Sequence, residues 1–298
     1  MLKIESVRQS VRTGFWLQRV EILKGISFQV PKKSIFGFLG PNGAGKTTLI
    51  HLITGIKRPS GGTLSLDGVE CHEKDAKRRI GYLPERPYFY DHLTGEGLLR
   101  YFGRLSGMRD GDITSRIPKV LVDVGMSHAR TLELKKYSKG MLQRIGIAQA
   151  MIHDPEFLVL DEPMSGLDPV GRKEVRELIL RLAKEGRTIF FSTHVIPDVE
   201  AICDSVAMIR KGELVGCGSV SQFLDQETTP VEIGFAGLPL EAAKKAGNFS
   251  TIREIPEGVR GTLSSEKEVD GVLRALLEKN ARILWVNPIR PSLEEAFL

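Results

Sequence analysis

The chain has 298 residues, 41% of them hydrophobic, which is enough to bury a sizeable core and long enough for two domains. No uninterrupted apolar run reaches membrane-crossing length, and Met1-Leu2-Lys3-Ile4-Glu5 passes directly into mixed polar sequence, so neither a helical span nor a secretory signal is expected. A formal net charge of +5 allows an acidic partner, but the short clusters Lys77-Arg78-Arg79 and Lys135-Lys136 carry no interleaved aromatics, and solvated faces are favoured over a nucleic-acid site; Cys71, Cys203 and Cys217 lack CxxC spacing and read as reduced thiols.

In chain order, the first clear element is the apolar run Ile35 to Leu39, which predicts a strand. It leads into Gly40-Pro41-Asn42-Gly43-Ala44-Gly45-Lys46-Thr47-Thr48, which fits the phosphate-cradling pattern G-x-x-x-x-G-K-[ST] at every required position. Leu49, Leu52 and Ile53 then follow at helical spacing until Gly55. Glycines let successive N–H groups face phosphate oxygens, and the helix start adds the positive end of its dipole. Lys46 is expected to reach the β- and γ-phosphates of a nucleoside triphosphate, Thr47 to offer its hydroxyl to Mg²⁺, and Thr48 to add a phosphate contact. These features predict an α/β fold of the P-loop NTPase type.

Downstream, Ile80 to Pro84 reads as a strand followed by Glu85. Residues 86 to about 153 are mainly helical in pattern, with Leu98, Leu99, Tyr101, Phe102 and Leu105 before Gly107, then Ile117, Val120, Leu121 and Val124 before Gly125. Ser138 is placed to cap a helix whose face carries Met141, Ile145, Ala148 and Ile152. Phe157-Leu158-Val159-Leu160 predicts a strand ending in Asp161 and Glu162, where Asp161 suits Mg²⁺ and Glu162 suits the water that attacks the γ-phosphate. Taken alone, an apolar run ending in acids is a common surface feature; it gains meaning beside the phosphate loop.

With Ser138-x-Gly140-x-x-Gln143-Arg144, Ser165-Gly166-Leu167-Asp168 after the acid pair, and Ser192-Thr193-His194 after the predicted strand Thr188 to Phe191, residues 1 to about 220 resemble the ATP-binding subunit of ABC transporters. The resemblance implies two such domains facing head to tail, each ATP lying between one chain's phosphate loop and the other's signature segment. Ser138 and Gly140 would then meet the γ-phosphate bound by the partner, Asp168 would lie in the loop that communicates across the dimer while also capping a helix, and His194 would contact the γ-phosphate. It further implies a cytoplasmic subunit at the membrane face, working with a separate multi-span permease and forming a homodimer or heterodimer. The helical segment would be the arm on which that permease docks, with Arg86-Pro87-Tyr88-Phe89-Tyr90 either in that contact or packed within the arm.

Several positions depart from the commonest family pattern. Glu85 stands where glutamine is usual; it can still ligate Mg²⁺ but brings negative charge toward the triphosphate. Lys139 and Met141 replace glycine and glutamine in the signature, Lys139 either adding charge near the γ-phosphate or being solvated, and Met164 stands where threonine is frequent. This combination is similar to the branch of drug-resistance, polysaccharide and multisubunit exporters. Phe15 and Trp16 both lie where the family stacks an aromatic ring on adenine, ahead of the segment Ile22 to Phe28, and either ring offers that face or packs in the core. A soluble non-transport ATPase of the same superfamily and a regulatory nucleotide-binding subunit are the alternatives; no second phosphate loop or extended heptad repeat supports the first.

A polar stretch at Asp225 to Pro230 separates an ATP-binding domain, 1–224, from a small α+β module, 225–298. The latter reads as strand Val231 to Phe235, helix Pro239 to Ala246, strands near Ser250 to Arg253 and Val259 to Leu263, helix Glu266 to Asn280, and strand Ile283 to Asn287, a β-α-β-β-α-β order. Ser265 with Glu268, and Ser292 with Glu295, form capping-box patterns. Dimer contact, regulation and stabilisation all remain open as its role.

Overall fold

The computed structural model describes residues 1–13, 18–224, 230–289 and 293, and divides into two compact units, Met1–Val220 and Ser221–Leu298. In the first, β1 (Leu2–Thr13) pairs antiparallel with β2 (Gln18–Val30), Leu2 standing opposite Val30. There follow β3 (Ile35–Leu39), α1 (Lys46–Ile53), β4 (Gly61–Leu66), β5 (Val69–Glu70), α2 (Lys74–Arg78) and β6 (Ile80–Leu83). Next come α3 (Gly95–Leu105), α4 (Asp110–Asp123), α5 (Lys139–Met151), β7 (Phe157–Asp161), α6 (Pro169–Lys184), β8 (Thr188–Thr193), α7 (Ile196–Ile202), β9 (Ser205–Arg210) and β10 (Glu213–Ser219), and α8 (Val220–Leu224) begins at the last residue of this unit and continues in the second.

Two sheets result. One is antiparallel, in the order β2-β1-β4-β5; the other has the order β10-β9-β3-β8-β7-β6, with β9, β3, β8, β7 and β6 parallel and β10 antiparallel at its edge. Every residue of β3, β7 and β8 is buried, as unbroken apolar runs require when both faces of a parallel sheet are covered. By contrast β2 buries alternate residues along its second half, which suits one covered face, and the Ile22–Phe28 segment accordingly joins the antiparallel sheet. Phe28 closes the gap between the sheets: its ring stacks on Phe36 at 5.4 Å and Phe38 at 5.7 Å, and Phe190 of β8 stacks on Phe36 at 5.9 Å.

The helices between β6 and β7 pack on one another through Leu98 and Leu99 of α3 and Ile113, Ile117, Val120 and Leu121 of α4. Tyr101 and Leu105, expected on the same apolar face, are exposed at 40% and 65%. They sit on the side of α3 turned away from that contact, where Tyr101 instead meets Tyr90 edge to face at 5.9 Å. Ser138 caps α5, its Oγ accepting from the Met141 N–H at 3.2 Å, and Ile145, Ala148 and Ile152 are buried as the spacing predicts. Asp168 caps α6 by accepting from the Gly171 N–H at 3.1 Å, with Pro169 in the first turn.

The second unit comprises β11 (Val231–Ala236), α9 (Leu240–Ala243), β12 (Thr251–Ile255), β13 (Gly258–Leu263), α10 (Val269–Glu278) and β14 (Arg282–Pro288). Its sheet runs β12-β13-β11-β14 with every pairing antiparallel, a split-βαβ arrangement over a core that includes Ile233, Phe235, Leu263 and Leu276. Two local expectations change. The first helix ends at Ala243, and the second is preceded by a 3₁₀ turn, Glu266–Glu268. The capping box at Ser265 does not close, because the Glu268 N–H bonds to the Ser265 carbonyl while Ser265 Oγ accepts from Lys267 at 3.3 Å. The Ser292 and Glu295 pattern lies outside the described residues.

Phe190 is fully buried against Phe36 and Phe38, where a truncation leaves a cavity flanked by two sheets. Phe190→Ala is expected to destabilise the first unit by about 3–5 kcal/mol. Chemical denaturation followed by tryptophan-independent circular dichroism checks this, and a loss below about 1 kcal/mol would mean the ring is not a core element.

Candidate active site

The carboxyl ends of β3, β7 and β8 meet at one cleft. As β3 ends, the Gly40 N–H donates to the Thr193 carbonyl at the end of β8, 3.2 Å away, and so fixes the start of the phosphate loop. A Cβ at Gly40 would come within 2.4 Å of the Ile209 carbonyl of β9, so only glycine allows this approach. Gly45, at φ 111°, turns the chain into α1 through a backbone conformation that side chains avoid. Lys46 follows and is only 7% exposed. Its Nζ donates to the carbonyls of Gly40 at 2.7 Å and Pro41 at 3.3 Å, and lies 3.2 Å from Glu162 Oε1.

Glu162 is the first residue past β7 and adopts φ 48°, an uncommon value for a residue with a side chain. Its N–H donates to both the carbonyl and the Oγ of Ser192, at 3.2 and 3.0 Å. Ser192 Oγ in turn donates to Asp161 Oδ1 at 2.5 Å. The Glu162 carboxylate meets His194 Nδ1 at 3.0 and 3.1 Å from its two oxygens. Thus the end of β8 supplies Ser192, which orients the acid pair, and the residue just past the strand, His194, supplies the imidazole that contacts it.

Asp161 is 1% exposed, and its Oδ2 is buried without a hydrogen-bond partner. Burial pushes its pKa above the ordinary carboxylate range; the Ser192 and Thr47 hydroxyls oppose that shift, while the charges of Glu85 and Glu162 add to it. A buried carboxylate oxygen with no donor, next to a threonine hydroxyl and a second carboxylate, is an all-oxygen set of the kind that hard divalent cations prefer. Tyr82 on β6 lies near enough to Asp161 to feel its charge, and burial together with that charge pushes its phenol up to about 12.

The cleft measures about 470 Å³. Of the expected loop residues, Asn42, Gly43, Gly45, Lys46, Thr47 and Thr48 line it, together with Glu85, Glu162 and His194. Gly40, Pro41 and Ala44 shape the loop behind this wall: Gly40 and Pro41 hold Lys46, and the Ala44 N–H donates to the Pro41 carbonyl at 3.2 Å. Ser138, Gly140 and Asp168 are not among the lining residues, and Ser138 and Asp168 stand exposed at the starts of α5 and α6. Phe15 and Trp16 lie outside the described residues. Sequence reasoning gave no role to Ser192, nor to Ile22 and Ser165, which also line the cleft. The available signal for Ser192 was a hydroxyl ending the apolar run Ile189-Phe190-Phe191 just before Thr193-His194.

Residues 23–165 match the family model described as ABC transporter. An uncharacterized ABC transporter ATP-binding protein of Synechocystis sp. is 44% identical over 291 residues, covering 96% of this chain and 80% of the relative. The linearmycin resistance ATP-binding protein LnrL of Bacillus subtilis is 29% identical over 308 residues, covering 100% of this chain and 97% of LnrL. Among solved structures, an ATP-binding cassette dimer in a post-hydrolysis state with ADP and Pi superposes with a TM-score of 0.66 at 20% identity, covering 74% of this chain and 99% of that one, which is a likeness of fold.

Ser192 links the acid pair to β8, so Ser192→Ala leaves Asp161 Oδ1 without its donor in a buried setting. A loss of stability of about 1–3 kcal/mol is expected. Equilibrium unfolding of the variant beside the parent measures it, and equal midpoints would remove Ser192 from the network.

Proposed function

The chain belongs to the ABC transporter ATP-binding proteins and is an ATPase subunit, and we propose that it works as a head-to-tail dimer, driving export through a separate multi-span membrane subunit. The observation that carries the catalytic part is that Glu162 lies within hydrogen-bond reach of both Lys46 and His194 in a single cleft. The dimeric part is supported by the position of Ser138 and Gly140, which lie away from the cleft of their own chain at an exposed helix start.

In this reading the N–H groups of the phosphate loop and the start of α1 hold the triphosphate, and Lys46 Nζ, already turned toward oxygen acceptors, pairs with its β- and γ-oxygens. Asp161 Oδ2 and the Thr47 hydroxyl fit Mg²⁺, with Glu85 as a further oxygen donor. Bound there, the cation would neutralise charge on the phosphate oxygens. Glu162 accepts a proton from the attacking water as its oxygen bonds to the γ-phosphorus and the bond to ADP breaks. His194 holds the Glu162 carboxylate through Nδ1, and its Nε2 side serves the γ-phosphate. Ser138 Oγ and the Gly140 N–H complete the site of the partner, and Asp168 lies in the loop between the two sites.

Export follows the resistance function in the name of LnrL and the Glu85 and Ser138-Lys139-Gly140-Met141 pattern. None of the described helices is long and apolar enough to cross a membrane. On the family resemblance we assign the span to another polypeptide and this subunit to the cytoplasmic face. Tyr88, 92% exposed at the entry to the helical segment, is the residue we assign to the permease contact. The division at 224/225 is proposed as the end of the ATPase part.

Glu162→Gln keeps the shape of the side chain and removes the base. ATP should still bind while hydrolysis slows by about two to four orders of magnitude, and the trapped nucleotide should hold two chains together in sedimentation. Normal turnover would exclude Glu162 as the base.

Ser138→Arg tests the composite site. It should leave nucleotide binding to the single chain intact while blocking ATP-driven dimerisation and turnover. Mixing it with Lys46→Ala, itself inactive, should restore part of the activity, because one site of the mixed dimer joins an intact loop to an intact signature. A Ser138→Arg protein that dimerises on ATP and hydrolyses normally would refute the head-to-tail arrangement.

A further inference from the structure

The sheet of the second unit has two unlike faces. Ile233, Phe235, Val259 and Leu263 turn to the core, with Ile252 packed against them, so the alternate residues of the same strands form the other face. One row of that face crosses all four strands in register. Arg253 of β12 stands opposite Arg260 of β13, Arg260 opposite Gly234 of β11, and Gly234 opposite Trp285 of β14. Gly234 is what lets the indole lie down: a Cβ there would come within 2.3 Å of Trp285 Cε2 and 2.6 Å of Nε1, so the ring rests against the backbone of a central strand. Trp285 is only partly buried in that position.

Beside the ring, arginines outnumber carboxylates. Glu232 pairs with Arg260. Arg253, exposed and directly opposite Arg260, and Arg282, exposed and opposite Ala236, have no acidic partner among the described residues. Like charges facing each other across a strand pair work against folding, so Arg253 beside Arg260 is a position that an anion from outside the unit would relieve. We propose that this face is a binding site for a purine nucleotide, apart from the phosphate-loop cleft: the base stacks on the outer side of Trp285, and the phosphate pairs with Arg253, with Arg260 next to it. From β11, where the indole lies, to β12 is two strand spacings, about 10 Å, which a base, its ribose and its phosphate can span. A simple anion would leave the indole unused, and an uncharged ring would leave the arginines unused. A track for single-stranded nucleic acid needs stacking rings on successive strands, whereas the central strands carry Glu232, Gly234, Arg260 and Thr262 on this face, which suits one nucleotide. The site lies wholly in the second unit and is independent of the composite ATP site.

Titration of the full chain with AMP and GMP tests this, since monophosphates lack the β- and γ-phosphates that the phosphate loop holds. In Trp16→Phe the indole of Trp285 is the one left in the chain, and either nucleotide should quench its fluorescence to saturation. Adenosine should need about tenfold higher concentration, and inorganic phosphate should leave the fluorescence unchanged. Calorimetry on the parent should find the same affinity for AMP, falling about tenfold in Trp285→Leu and in Arg253→Glu, with part of the loss recovered in Arg253→Lys. Arg253 is exposed, so Arg253→Glu reads the site even where Trp285→Leu fails to fold. Lys46→Ala should keep the parental affinity for AMP, which separates this site from the cleft. Absence of quenching up to about 5 mM nucleotide would overturn the proposal, as would parental affinity in Arg253→Glu or loss of AMP binding in Lys46→Ala. A single-stranded oligoadenylate that binds more than about tenfold tighter than AMP would overturn it too, making the face a nucleic-acid surface.

Discussion

The contact of Lys46 Nζ with Glu162, 3.2 Å between two groups that are each less than a tenth exposed, is the interaction around which the ATPase unit is arranged. A buried cation and carboxylate are tolerated only while each has its partner, and removing one leaves an uncompensated charge at a cost of about 3–5 kcal/mol. The residues come from strands that are not neighbours, since β8 lies between β3 and β7. That intervening strand does the joining: the Thr193 carbonyl takes the Gly40 N–H, and Ser192 takes the Glu162 N–H while donating to Asp161. Crossovers that place β8 in the middle of the sheet thus bring the phosphate loop and the acid pair to one edge.

Glu162 shows how local strain serves that geometry. A residue in ordinary extended conformation would send its side chain to the face of the sheet opposite that of Asp161, whereas φ 48° turns the chain at the strand end, where the carboxylate meets both Lys46 and His194. Such a backbone costs of order 1–3 kcal/mol and persists because hydrogen bonds to Ser192 fix the N–H on two acceptors. Asp161, one residue earlier, stays within the strand and keeps Oδ2 buried without a hydrogen-bond partner. Adjacent carboxylates are in this way given different surroundings, one beside the hydroxyls of Ser192 and Thr47 and the other set against cationic and imidazole nitrogens.

Much of this was legible in the chain because the phosphate loop, the acid pair and the residues after β8 are short contiguous patterns whose chemistry depends on local geometry. Strands β3, β7 and β8 were equally clear, since continuous apolar runs have no other stable place than a doubly covered sheet. The role of Ser192 was not legible. It arises from a register across the sheet, Asp161 opposite Ser192, that no local pattern encodes. The failure of Tyr101 and Leu105 to join the arm core has a similar origin, because five apolar positions on an eleven-residue helix spread wider than the face that α4 and α5 cover. In the second unit the β-α-β-β-α-β succession of elements was legible, while the start of its second helix depended on whether a 3₁₀ turn or a capping box closed at Ser265.

The bland and functional readings of Ser138 and Asp168 do not compete once hydrogen-bond capacity is counted. Capping α5 uses a lone pair of Ser138 Oγ to accept from Met141, and the hydroxyl proton stays available to donate to a phosphate oxygen. Capping also aligns the helix start, so the unpaired N–H groups of the first turn, that of Gly140 included, point outward together toward whatever anion approaches. Asp168 similarly commits Oδ1 to the Gly171 N–H and keeps Oδ2 for a neighbour. In the proposed head-to-tail dimer, a residue that fixes a helix terminus in the single chain would therefore already be oriented for a ligand delivered by a second chain. Closure on ATP would then need little rearrangement of either helix start, and its free energy would come largely from the phosphate contacts themselves.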